Sequence, residues 1–158
     1  MSDVTESELA RIEERCEAAT AGPWTASVEG RDHMAGDTFI QTAGEDLYLT
    51  PGASVADHDF IASARQNLPR LIRVLRGLDE LTDSELARIE QRCEAATPGP
   101  WTSLLEGRDH DAGPASSRRP ARLYLYGATQ ADYDFIASAR QDVPRLLRAV
   151  RALLADRG

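Results

Sequence analysis

The chain has 158 residues, 42% of them hydrophobic and 28% charged, with a formal net charge of −8. That length suits one compact domain or two closely packed half-domains, large enough to bury about 68–70% of the unfolded surface without a metal or a disulfide. The acidic balance argues against nucleic acid as a partner, and the lack of an apolar run of about 18 residues argues against a membrane span or secretory segment, so a cytoplasmic protein is expected.

The first element is a helix announced by its start. Thr5-Glu6-Ser7-Glu8 places a hydroxyl at the N-cap and a carboxylate three residues on, a capping box, and Val4 can staple against Leu9. Leu9, Ile12, Cys16 and Ala19 recur at helical spacing and form one apolar stripe, while Glu8, Arg11, Glu14 and Arg15 form the wet face. Gly22-Pro23 ends the helix near Thr20. Three short β segments follow, at 24–28, 38–42 and 46–50, separated by the turn signals Gly30 to Gly36 and Ala43-Gly44. Asp57 reads as the N-cap of a second helix with Phe60, Ile61, Ala64 and Leu68 on its apolar face. Pro69 should break that helix, with Asn67 capping a restart whose stripe continues through Leu71, Ile72, Leu75 and Leu78.

The same order of signals then begins again. Residues 82–102 repeat residues 5–25 with differences only at Glu6/Asp83, Glu14/Gln91 and Ala21/Pro98, so 18 of 21 positions are identical. Residues 132–146 repeat 57–71 with differences only at His58/Tyr133, Asn67/Asp142 and Leu68/Val143, so 12 of 15 are identical. In the second copy the helix is capped at Thr82, strands are expected at 101–105 and 122–126, the Pro120-containing segment 115–121 is an edge strand or a loop, and Asp132 caps a last helix that breaks at Pro144 with Asp142 capping the restart. The middles of the copies, near 34–46 and 111–122, share little.

The expected fold is therefore α+β: two tandem α-β-β-(β)-α repeats, 1–78 and 82–158, joined by a linker at 79–81 and packed about a pseudo-twofold axis with antiparallel sheet. A three-stranded unit alone leaves an open edge and a bare apolar face, which the other copy can cover through a shared sheet or a sandwich. The product is a monomeric pseudo-dimer or a higher homo-oligomer. Cys16 and Cys93 hold equivalent places without metal-ligand spacing and read as reduced core thiols.

The strings Ala18-Ala19-Thr20-Ala21-Gly22-Pro23-Trp24 and Ala95-Ala96-Thr97-Pro98-Gly99-Pro100-Trp101, with the closing motif from Asp132 to Leu147, resemble a small module of phages, prophages and actinobacteria. The pattern is similar to Ead-like phage proteins, once per repeat. The resemblance implies an αβ module of mobile elements and brings no catalytic residues with it; the tandem duplication departs from the usual single copy.

Several residues have both a chemical and a structural reading. Arg31-Asp32-His33 and Arg108-Asp109-His110 lie in matching turns, where Asp could orient His as a base or simply cap backbone amides. No nucleophile or second carboxylate completes a catalytic set, so no enzyme is expected. A metal site using His58 would meet Tyr133 in the second copy, so neither metal nor cofactor is expected. Trp24 and Trp101 are core anchors or stacking platforms. Arg118, Arg119 and Arg122 belong to copy two alone and form either a phosphate fork, with Tyr124 stacking nearby, or a solvated loop. The expectation drawn from them is a non-enzymatic binding protein that sequesters a small anionic, nucleotide-like ligand. The alternative is a protein-interaction module that blocks or adapts a host protein through its acidic surface.

Overall fold

Helices form where an apolar stripe follows a capping box, and strands where β-type residues lie between glycine-rich turns. In the computed structural model, which describes residues 4–34, 36–50, 53–102 and 124–157, these give a mixed α+β fold. Four helices are present among the described residues: α1 (Glu6–Ala18), α2 (Val55–Leu75), α3 (Asp83–Ala95) and α4 (Gln130–Arg157). The strands are β1 (Thr25–Ser27), β2 (Phe39–Gln41), β3 (Tyr48–Thr50) and β4 (Tyr124–Tyr126). The expected strand segments over 103–123 lie outside the described residues; Trp101 and Thr102 precede them without strand pairing.

Thr5 and Thr82 close the capping boxes of α1 and α3 with Glu8 and Glu85. The starts of α2 and α4 differ from expectation. Ser54 is the N-cap of α2, and Asp57 is its N3 residue rather than its cap. Likewise Thr129 receives the amide of Asp132 on its hydroxyl, and Asp132 returns a carboxylate to the amide of Thr129. A hydroxyl at N-cap with a carboxylate at N3 satisfies two amides at once, whereas a capping Asp alone satisfies one.

The expected breaks at Pro69 and Pro144 do not occur; both prolines lie inside continuous helices, and Asn67 and Asp142 cap nothing. A proline within a helix costs about 3 kcal/mol. Here Leu68, Leu71 and Ile72, and Val143, Leu146 and Leu147, are buried on either side of the proline in one core. A break would expose part of that surface, at about 1.5–3 kcal/mol per large side chain. Leu78, expected on the α2 stripe, is 61% exposed. The helix has ended: Gly77 at φ +77° sends its amide to the Val74 carbonyl, and the Leu78 amide reaches Arg73, a glycine stop that turns the chain toward α3.

Strand β1 pairs antiparallel with β2, and β3 pairs antiparallel with β4 from the other end of the chain. A bridge between Ile40 and Leu47 links the two pairs. In the β3–β4 pair Leu49 stands opposite Leu125, with Tyr48 opposite Tyr126 and Thr50 opposite Tyr124. Gly127 ends β4 at φ +83°, and a Cβ there would lie 2.3 Å from the Asp46 carbonyl oxygen, so only glycine lets the chain pass. Helices α2 and α4 pack on each other at the centre, with α1 and α3 against them. The core is one cluster drawn from both ends of the chain, including Leu9, Ile12, Phe60 and Ile61 with Leu86, Ile89, Phe135 and Ile136. No helix among the described residues is long and apolar enough to cross a membrane.

Candidate functional site

The duplicated Gly-Pro-Trp turns lie between a first helix and the central helices. Trp24 is 2% exposed, and its ring meets Phe135 of α4 edge-on, centroids 5.4 Å apart. Trp101, half-buried, meets Phe60 of α2 in the same way at 5.8 Å. Each tryptophan thus anchors on the phenylalanine of the opposite half. The backbone around it is held by a glutamine of its own half. Gln66 accepts the Trp24 amide at 2.8 Å and donates to the Trp24 carbonyl, and Gln141 does the same for Trp101. The indole N–H groups donate to the carbonyls of Thr20 and Thr97, which also receive Arg65 and Arg140. These arginines lie over the Phe135 and Phe60 rings at 5.9 and 5.6 Å.

Two buried carboxylates complete this arrangement. Asp132, 0% exposed, accepts the Thr20 amide at 2.6 Å and the Thr20 hydroxyl at 2.7 Å. Asp57, 1% exposed, accepts the same two groups of Thr97 at the same distances. Each carboxylate therefore caps its own helix and also clamps the helix end of the other half. Sequence reasoning placed neither clamp, because the partners lie 112 and 40 residues apart along the chain. The common position of Thr20 and Thr97 in the repeated motif was the available signal.

The turn after β1 follows its structural reading. Asp32 accepts the Val28 amide at 2.8 Å, and Arg31 holds Asp59 of α2 through both its terminal nitrogens at 2.8 and 2.9 Å. Hydrogen bonds donated to Asp59 and then to Asp32 raise the Arg31 pKa further, and the hydrogen bond from Arg31, followed by that from the Val28 amide, lowers the pKa of Asp32. His33 lies 3.4 Å from the Ser27 carbonyl oxygen by its Nε2 and tilts against Phe39. These residues lie together, and Asp32 accepts hydrogen bonds from Val28 and Arg31. Arg108, His110, Arg118, Arg119 and Arg122 lie outside the described residues, and of Tyr124 the structure describes only its place in β4. Among the described residues no three His, Cys, Asp or Glu side chains gather as a metal site.

His58, which sequence reasoning weighed only as a metal ligand, is buried on α2 with Nδ1 2.8 Å from the Ser54 carbonyl oxygen and no partner for Nε2 among the described residues. The corresponding Tyr133 reaches further, its hydroxyl meeting the amide and carbonyl of Leu125 in β4.

Among the described residues, a pair of surface clefts occupies equivalent places in the two copies. One, of about 240 Å³, lies between the first turns of α2 and the face of α3, lined by Ala56, Asp59, Arg88, Gln91, Arg92 and Ala95. The other, of about 350 Å³, lies between α4 and α1, lined by Ala131, Asp134, Arg11, Glu14, Arg15 and Ala18. The first carries two guanidinium groups against one carboxylate, and that carboxylate, Asp59, is held by Arg31. The second carries two against two, and its Arg15 is further paired with Asp142 at 3.2 Å. Among the described residues, Arg88 and Arg92 have no ion pair and no side-chain hydrogen bond. No protein-family model matches the chain, and no curated protein or solved structure matches it.

Proposed function

We propose that the chain is a non-catalytic, cytoplasmic binding protein that captures a small, nucleotide-like anion. The observation that carries this reading is the α2–α3 cleft, where Arg88 and Arg92 offer two guanidinium forks that no side chain among the described residues uses. Guanidinium forks make short, charge-assisted hydrogen bonds to oxyanions, and the first turn of α2, with Ala56 on the cleft wall, adds the positive end of a helix macrodipole. In the turn after β1, Asp32 accepts hydrogen bonds from the Val28 amide and the Arg31 guanidinium, which supports its structural reading. Calorimetric titration with inorganic phosphate and with mono-, di- and cyclic nucleotides tests the proposal. It requires heat from at least one of them, and silence across the whole panel removes it.

The two halves are, in this proposal, tandem α-β-β-(β)-α repeats related by a pseudo-twofold axis passing between Leu49 and Leu125. Reciprocity supports the axis. Thr20 meets Asp132 as Thr97 meets Asp57, Trp24 meets Phe135 as Trp101 meets Phe60, and Arg145 meets Glu8 as Arg70 meets Glu85. The phage-type origin rests on the two repeated motifs, whose Thr, Trp, Phe, Arg and Gln residues carry this interlock. A second reading, a module that blocks or adapts a host protein, is favoured by the net charge of −8 and by Met34, 86% exposed beside the Arg31 turn. It becomes the better account if no anion binds.

A further inference from the structure

The two halves differ at few positions within the repeated blocks, and two of those differences change charge around the same pair of clefts. Glu14 lines the α1–α4 cleft, and Gln91 stands at its place in the α2–α3 cleft. Asp142 pairs with Arg15 of the α1–α4 cleft, and the residue at its place in the first copy is Asn67. The Gln91 change removes a negative charge from the lining that Arg88 and Arg92 share, and Asn67 is neutral where the other copy has the carboxylate that pairs Arg15. An acceptor-only carboxylate also becomes, at Gln91, an amide that can donate. The outcome is a cleft whose arginines make no ion pair among the described residues, its one lining carboxylate, Asp59, being held by Arg31, in a chain with enough carboxylates to pair Arg70, Arg76 and Arg151 elsewhere.

The spacing selects the anion. Arg88 and Arg92 are four residues apart on α3, so their side chains leave the same face of the helix. A carboxylate offers its acceptor sites in one plane, whereas a phosphate group has three or four oxygens in a tetrahedral arrangement and can meet two forks that approach from different directions. A local pair of positive groups also outweighs the distant acidic surface, whose field is screened beyond about 8 Å at physiological ionic strength.

The geometry points to the α2–α3 cleft as a phosphate-binding site held by Arg88 and Arg92 with Gln91, and to the α1–α4 cleft as its closed counterpart, kept from anions by Glu14 and Asp142. This rests on the anion-binding reading above and narrows it to one site, one stoichiometry and one chemical group. Free phosphate and a phosphate ester share that chemistry; titration with inorganic phosphate and with a nucleoside 5′-monophosphate, with acetate as control, separates the sources.

Calorimetry at low ionic strength on the full chain and three double variants is the test. Wild type should bind one phosphate or phosphate ester per chain and acetate far more weakly. Arg88→Ala/Arg92→Ala should weaken binding at least about tenfold. Gln91→Glu/Asn67→Asp should do the same, with the fold preserved because the other half carries those residues at the matching places; circular dichroism checks this. Glu14→Gln/Asp142→Asn should take up a second phosphate. Binding that survives Arg88→Ala/Arg92→Ala overturns this site while leaving an anion-binding protein. A Glu14→Gln/Asp142→Asn variant that binds no second phosphate overturns the charge account of the two clefts. No heat from phosphate or any nucleotide removes both proposals.

Discussion

At the scale of single residues, the chain uses its few buried polar groups to tie distant segments together. Asp57 and Asp132 are nearly inaccessible, yet each accepts a capping amide, a backbone amide and a hydroxyl, so the charge is met on several sides. A buried carboxylate is tolerated when hydrogen bonds satisfy it, and removing it leaves its donors buried without partners. Asp132→Ala should therefore lower the unfolding free energy by about 3–5 kcal/mol in urea titration, since three charge-assisted hydrogen bonds go at once. A loss under about 1 kcal/mol would contradict the clamp. These two residues were legible only in part: Asp at a helix start is a local signal, and it was read as an N-cap because Asp is among the best caps. The hydroxyl three residues earlier and the threonine of the other half decide its actual position and work.

At the scale of elements, what was legible was what is local. The capping boxes of α1 and α3 and the apolar stripes of α1 to α4 stand where the spacing places them, apart from Leu78, which lies beyond the end of α2. The prolines were misread because their cost is local whereas the compensating burial comes from helices packed around them. Within the α1 and α3 stripes Cys16 and Cys93 are free and buried. Burial pushes both thiols up from 9.0 to about 11, the thiolate being the form that the core disfavours. The folded-state value exceeds the unfolded one, so the stability that these thiols contribute is fully present below pH 9 and is lost as pH rises toward 11. Denaturant titrations between those limits should show wild type weakening more steeply than Cys16→Ala/Cys93→Ala. Equal slopes would mean that the thiols are not held neutral by the core.

At the scale of the whole molecule, the two copies share one core and exchange contacts in both directions. Arg70 of α2 reaches Glu85 of α3, Arg145 of α4 reaches Glu8 of α1, and β3 finds its strand partner in β4. Neither half keeps its own tryptophan–phenylalanine pair, so each completes its core only with the other. Thermal unfolding should be a single transition with equal calorimetric and van't Hoff enthalpies. Two separable transitions, one per half, would refute the interlock. The duplication itself was plain in the sequence. The clefts were not, because Ala56, Arg88 and Gln91 meet only after α2 folds back beside α3. Aligning the copies exposes the charge differences at Gln91 and Asn67, but only the folded chain places Gln91 with Arg88 and Arg92 in one cleft.

The claim that one copy has become a phosphate site is tested most directly by watching the arginines themselves. Side-chain Nε–Hε resonances, assigned in a nitrogen-15-labelled chain, can be followed while inorganic phosphate is added. Arg88 and Arg92 should shift together along one saturable curve, while Arg11 and Arg15 in the equivalent cleft, and Arg31 on Asp59, stay in place. Saturable shifts confined to other arginines, or equal shifts in both clefts, would contradict the account.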